Sequence, residues 1–232
     1  MYENVIVETK DLIKTYKQSS IDVPALRGID LTLKQGEFAV VAGSSGSGKT
    51  TLLNLVGALD RPTSGQISVA GKNLKELSGR ALANLRLCHI GFVFQAYNLL
   101  PVLSAYENAE YVLLLQGISA VERKIRTLEV LAAVGLAGLE NRRPAELSGG
   151  QQQRVAVARA IAAKPELVLA DEPTANLDSK TGTELVDLMK QLNRDHNITY
   201  LISSHDPKVI HRADRIIRLE DGEIISDSKN TQ

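Results

Sequence analysis

Residues 43–50, Gly-Ser-Ser-Gly-Ser-Gly-Lys-Thr, constrain this chain more than any other stretch. They fit Gly-x-x-x-x-Gly-Lys-Ser/Thr, the spelling of a phosphate-cradling loop. A triphosphate needs many donors at close range. Gly43, Gly46 and Gly48 lack Cβ atoms, so the backbone can turn sharply and aim its N–H groups into one concavity. Lys49 reaches the β- and γ-phosphates as a point charge, and the Thr50 hydroxyl is placed to ligate Mg²⁺. Ser44, Ser45, Ser47 and Thr51 complete the candidate contact set. The flanks agree. Residues 37–42 are a short apolar run suited to a buried strand, and residues 51–57 read as a helix whose N-terminal dipole faces the phosphates. A merely flexible Gly/Ser loop is the alternative, and it explains neither flank.

The 232 residues allow one large or two small packed units. Lysine plus arginine balance aspartate plus glutamate at 27 each, so no overall charge draws the chain to nucleic acid or an anionic membrane. Cys88 is the single cysteine, which excludes an intrachain disulfide and reads as a small buried residue beside a strand. The N-terminus lacks the basic start and apolar core of a secretory signal. No apolar run approaches the ~20 residues that span a bilayer. Work at a membrane would therefore need another chain to cross it.

Strands are expected at 5–9, 29–33, 38–42, 66–70, 90–94, 166–171, 198–203, 215–219 and 223–225, with Leu12–Tyr16 lying between the first two. Helical spacing covers 74–87, 106–115, 120–134, 150–163 and 181–192. Leu113, Leu114 and Leu115 read as core, or as a partner-docking face if exposed. The polar tail 226–232 is expected to fray. Strands alternating with helices predict an α/β fold with a mainly parallel sheet. The helical run 96–160 reads as a subdomain inserted into a core made of 1–95 and 161–232, the core also carrying an antiparallel β portion.

Two further motifs extend the chemistry. Residues 167–174 are an apolar strand ending in Asp171-Glu172-Pro-Thr. A carboxylate at that strand end can hold Mg²⁺, and Glu172 can polarise a water for attack on the γ-phosphate. Residues 147–151 are Leu-Ser-Gly-Gly-Gln. Ser148 can cap the following helix, Gly149 and Gly150 permit close backbone approach, and such a helix start is itself an anion site. Two phosphate sites with one full nucleotide site imply a dimer, each subunit's second site closing on the partner's γ-phosphate.

In these motifs and in their order the chain resembles the ATP-binding subunits of ABC transporters, and the likeness covers nearly its whole length. The resemblance implies a P-loop NTPase core, ATP and Mg²⁺ as ligands, and ATP hydrolysis. It implies that Tyr16 stacks on adenine, that Gln95 contacts Mg²⁺ and the attacking water, and that Ser148, Gly149, Gly150 and Gln151 face the partner's nucleotide. It further implies that Asp178 lies in the loop crossing the dimer interface and that His205 contacts the γ-phosphate. Lys49, Gln95, Asp171, Glu172 and His205 are all present, so turnover is expected. Residues 91–101, 147–160 and 171–178 most resemble the lipoprotein-releasing and macrolide-exporter group, from which Ser44 departs where proline is common. The group implies an integral membrane permease as partner and a peripheral place on the cytoplasmic face of the inner membrane, with 96–115 receiving a permease helix. A soluble ABC ATPase on ribosome or DNA is the alternative; one ATP-binding half and no basic excess speak against it. A regulatory module without turnover is a third, which the intact Glu172 opposes.

Overall fold

The computed structural model describes residues 4–18 and 21–230. A six-stranded sheet forms its centre. β3 (Phe38–Ala42) and β8 (Thr199–Ser204) are buried along their whole length. That is the environment that continuous apolar strands demand of a parallel sheet covered on both faces. With β6 (Ile90–Val93), β7 (Leu167–Asp171), β9 (Arg215–Glu220) and β10 (Glu223–Lys229) the order is β10-β9-β3-β8-β7-β6. Only the β9–β10 pair is antiparallel.

The pleat divides the core in two. Ala39, Val41, Leu169 and Leu201 face α1 (Lys49–Val56), α2 (Gly79–His89) and a second, antiparallel sheet. Phe38, Val40, Val168, Ala170 and Ile202 face the other way, toward α3 (Ala105–Leu115), α4 (Ala120–Ala133), α5 (Gly149–Ala162) and α6 (Ser179–His196). Ser78, Ser104, Ser119, Ser148 and Asp178 cap α2 to α6 with side-chain oxygens, which fixes five helix starts. Among the described residues no helix is long and apolar enough to cross a membrane.

The antiparallel sheet corrects one expectation. Leu12–Tyr16 does not connect two short strands but continues the first. β1 (Val5–Gln18) and β2 (Ile21–Lys34) form one long hairpin, joined by β4 (Ser64–Val69) and β5 (Lys72–Asn73) in the order β2-β1-β4-β5. Irregularities at Thr9/Leu12 and Lys14/Thr15 shift the register. Each bulge breaks the two-residue alternation that marks a strand in sequence. Asp11, at the first, has φ 45°. Opposite it stands Gly65 at φ 81°, where a Cβ would lie 2.0 Å from the Asp11 carbonyl oxygen. Gly65→Ala should therefore destabilise by about 2–4 kcal/mol. Gly71, also at positive φ but with nothing within 4 Å of a Cβ, supplies the control. Thermal unfolding of the two alanine variants should separate them by several degrees.

The polar tail is a second correction. Residues 226–229 belong to β10, where Asp227 pairs with Ile217. Arg215 explains why: its guanidinium grips both Asp227 oxygens at 2.8 and 2.6 Å and Glu37 at 2.8 Å. Asp227 first, and Glu37 with it, hold the Arg215 guanidinium above its ordinary pKa against the opposing effect of burial. Thr231 and Gln232 lie outside the described residues. Cys88 is half-buried on α2 rather than buried beside a strand. Leu113 is core, whereas Leu114 and Leu115 are half-exposed.

Candidate active site

The register of the parallel strands builds the site. Ala42 is level with Ser204, Asp171 with Ser203, and Val93 with Ala170. The glycine-rich loop after β3, Glu172 after β7, His205 after β8 and Gln95 after β6 therefore leave the sheet along one edge. This is the carboxyl edge at which open α/β sheets bind ligands.

Ser45, Gly46, Gly48, Lys49, Thr50, Thr51, Gln95, Glu172 and His205 line one cavity of about 380 Å³. Lys49 is buried, and its ammonium donates to the Gly43 and Ser44 carbonyls at 2.8 and 2.9 Å. Glu172 Oε1 stands 3.6 Å from that ammonium and 2.9 Å from His205 Nδ1. One carboxylate thus sits between the loop lysine and the strand-end histidine. Glu172 itself has φ 45°, and its N–H donates to the Ser203 carbonyl at 3.1 Å and to Ser203 Oγ at 3.0 Å. A non-glycine residue costs roughly 1–3 kcal/mol in such backbone. Ser203 is what holds it there.

Several observations test the fit of a nucleotide with its metal. Gly48, at φ 105°, leads directly into α1, so the first-turn N–H groups of that helix open onto the cavity. A Cβ on Gly43 would lie 2.2 Å from the Leu219 carbonyl, which ties the loop's bend to β9 and excludes any other residue. The Ser47 hydroxyl is buried within the loop without a protein partner. Thr50 Oγ1 lies 3.1 Å from Asp171 Oδ1. Among the described residues no group of three or more His, Cys, Asp or Glu is placed to hold a metal. Thr50 and Asp171 thus offer one hydroxyl and one carboxylate, a donor set that fits a Mg²⁺ carried in with phosphates.

Other predicted residues stand outside the cavity. Tyr16 donates from its hydroxyl to Asp60 at 2.9 Å, and Lys14 Nζ lies over its ring at 4.7 Å. Burial first, then Asp60, raise the Tyr16 phenol above its usual pKa, with the Thr51 hydroxyl opposing. Since Thr51 lines the cavity, Tyr16 is one contact away from it. Ser148, Gly149, Gly150 and Gln151 form the start of α5, where Ser148 and Gln151 cap each other reciprocally. A Cβ on Gly150 would fall 2.4 Å from Thr181, so α5 and α6 begin side by side. Asp178 caps α6, and the Thr181 hydroxyl and N–H hold its carboxylate below the usual pKa. None of these five residues lines the cavity around Lys49.

Sequence reading missed Ser203, Asn176 and Gln153. Ser203 joins the two acids, donating to Asp171 Oδ1 at 2.5 Å. Its only signal was the Ser-Ser pair closing an apolar strand before His205. Asn176 donates to the Gln95 carbonyl at 2.9 Å, a contact that no spacing announces.

The "ABC transporter" family model matches residues 26–175. The lipoprotein-releasing system ATP-binding protein LolD of Anaeromyxobacter dehalogenans is 47% identical over 95% of this chain and 93% of its own length. The macrolide export ATP-binding/permease protein MacB of Hyphomonas neptunium is 46% identical over 98% of this chain, which spans 35% of that protein. The dimeric post-hydrolysis structure of the ATP-binding cassette MJ0796, bound to ADP and Pi, superposes with a TM-score of 0.90 at 42% identity, covering 98% of this chain and 100% of that one. With cavity, motifs and nearly full-length relatives in agreement, the chain belongs to the ABC transporter family, as one of its ATP-binding cassettes.

Proposed function

We propose that this ATPase cassette works as one of an ATP-bound pair beneath an integral membrane permease of the lipoprotein-releasing or macrolide-exporter type, on the cytoplasmic face of the inner membrane. The separation of two clusters carries the reading. Lys49, Thr50, Gln95, Glu172 and His205 share one cavity, while Ser148 and Asp178 stand at helix starts outside it. A second copy brings its Ser148 helix start to the first copy's γ-phosphate. The MJ0796 cassette, whose structures are dimeric, supports this assembly.

In the reaction, the loop N–H groups and Lys49 hold the β- and γ-phosphates, and Tyr16 stacks on the adenine. Thr50 and Asp171, with Gln95 near, would hold Mg²⁺, which would neutralise charge on the phosphate oxygens. Glu172 takes a proton from the attacking water as the water oxygen bonds to the γ-phosphorus. The bond from that phosphorus to the β–γ bridging oxygen breaks, leaving ADP and phosphate. His205 positions the Glu172 carboxylate and contacts the γ-phosphate.

A groove of about 590 Å³ suits the permease. It is lined by Phe92, Phe94, Val112 and Leu115 with Arg86 and Arg159. Arg86 donates to the Ala58 carbonyl, and Arg159 to the Tyr97 and Asn98 carbonyls. Burial lowers the Arg159 pKa. An amphipathic permease helix with an acidic residue complements both the apolar walls and this charge. Leu115→Glu, at a residue 58% exposed, should abolish permease co-purification while leaving the isolated cassette's ATPase within about two-fold of wild type, since surface changes rarely alter the folded core. Leu100, 41% exposed nearby, should behave likewise when changed to Glu.

The decisive experiment isolates tagged Glu172→Gln chain with ATP in mild detergent from the membranes of its own cells and identifies by mass spectrometry what accompanies it. An integral membrane protein in stoichiometric amount is expected. Ribosomes or DNA in its place, or a soluble homodimer alone, would overturn the transporter reading. Zero net charge and transporter-subunit relatives leave the ribosome or DNA alternative unsupported.

A further inference from the structure

Gln151, Gln152 and Gln153 are consecutive but do three different things. Gln151 caps α5, and Gln152 donates to the Leu147 carbonyl at 3.1 Å. Gln153, one helical step on, points into the protein and is 0% exposed. Its Nε2 donates to the Pro173 carbonyl at 2.8 Å and to the Phe94 carbonyl at 3.3 Å. Pro173 follows Glu172 directly, and Phe94 precedes Gln95 directly. One amide on α5 therefore holds the carbonyl of the residue after Glu172 and that of the residue before Gln95, the two residues read as facing the attacking water. Asn176 holds the next carbonyl, that of Gln95, at 2.9 Å.

The chemistry requires an amide. Both acceptors are carbonyls, so the atom between them must be a nitrogen carrying two hydrogens. A carboxylate there would face two oxygens with nothing to donate. The Gln153 Oε1 is buried without a protein partner, an arrangement that costs roughly 1–3 kcal/mol. The side chain thus keeps a costly orphan while its nitrogen serves both loops. A residue kept only for packing would be an apolar one of the same volume.

We propose that Gln153 is a positioning residue for hydrolysis. It locks Gln95 and Glu172 in register with each other, and it passes any shift of α5 to both at once. It touches neither nucleotide nor water. The inference rests on the reading that Glu172 and Gln95 act at the γ-phosphate.

The test uses the full purified chain with ATP and Mg²⁺, and two variants. Gln153→Met keeps the volume and removes the donors. Displacing reacting groups by about 1 Å costs up to ~10²-fold, so kcat should fall roughly ten- to hundred-fold, while the Kd for ATP, set by the loop at Lys49, stays within about two-fold. A kcat within two-fold of wild type, in a variant shown to be folded at the assay temperature, overturns the proposal. So does a parallel loss of kcat and ATP affinity. Gln153→Glu supplies a second readout. Burial raises a carboxyl pKa, and the protonated acid regains one donor. Its kcat relative to wild type should rise as pH falls from about 8 to about 6. A flat ratio, or a fall toward low pH, counts against positioning, including where the Met variant does not fold. Glu172→Gln serves as control. If it retains wild-type turnover, the parent reading fails; if it is inactive while Gln153→Met is normal, only this inference fails.

Discussion

Glu172→Gln should cut ATP turnover by roughly 10²–10⁴-fold, the usual worth of a positioned general base, and leave ATP binding intact. The geometry separates the two effects. In the proposed reading ATP is held by the loop after β3 and by Lys49, whose ammonium already has the Gly43 and Ser44 carbonyls as partners. Glu172 contributes only a 3.6 Å contact to that lysine. Its backbone is fixed by Ser203, which the substitution does not touch. An amide of the same shape keeps an oxygen for His205 but cannot take a proton from water. The closed, ATP-bound pair should accumulate, visible as an ATP-dependent dimer by size exclusion and absent with ADP. Single-turnover rates separate chemistry from product release. Wild-type hydrolysis by this variant would remove Glu172 from the base role and move it to His205 or to the phosphate itself.

What the sequence disclosed and what it hid follow one physical line. The loop at 43–50 was legible because local backbone demands, glycines at turns and a lysine at a helix start, are written in consecutive residues. Asp171, Glu172, Gln95 and His205 were placed correctly at strand ends because apolar strands of a parallel sheet stop at one edge. The hairpin β1–β2 was read as two short strands because bulges at Asp11 and Lys14 disrupt alternation. The strand at 226–229 was hidden because its hold is an ion pair between Arg215 and Asp227, twelve residues apart, rather than apolar burial. Gln153 is one of three consecutive glutamines, and nothing in their spelling sets it apart. Only the packing of α5 against β6 and the loop after β7 shows that its amide is buried between two carbonyls. Residue type and spacing reveal what a segment does for itself, whereas such cross-ties depend on which segments meet.

Lys49→Ala should weaken ATP binding by roughly 10²-fold or more, equivalent to about 2.7 kcal/mol and within the range for a charge-assisted hydrogen bond lost from a buried group. Two losses combine. The triphosphate loses the buried side-chain cation of the cavity, and His205, the other cationic candidate lining it among the described residues, is two-thirds exposed at its side chain. The loop loses the ammonium that bridges the Gly43 and Ser44 carbonyls, so its N–H groups no longer converge as firmly. Comparing nucleotides distinguishes them. If the lysine acts on the β- and γ-phosphates as proposed, titration calorimetry should show ATP affinity falling far more than AMP affinity. Collapse of the loop would reduce both together. The 3.6 Å contact to Glu172 makes the pair non-additive as well. In Lys49→Ala the carboxylate keeps His205 but faces an incoming γ-phosphate with no intervening cation. Adding Glu172→Gln to Lys49→Ala should therefore restore part of the lost ATP affinity, although turnover stays abolished. If the second substitution leaves affinity unchanged, the carboxylate does not repel the phosphate, and Lys49 acts on the nucleotide alone.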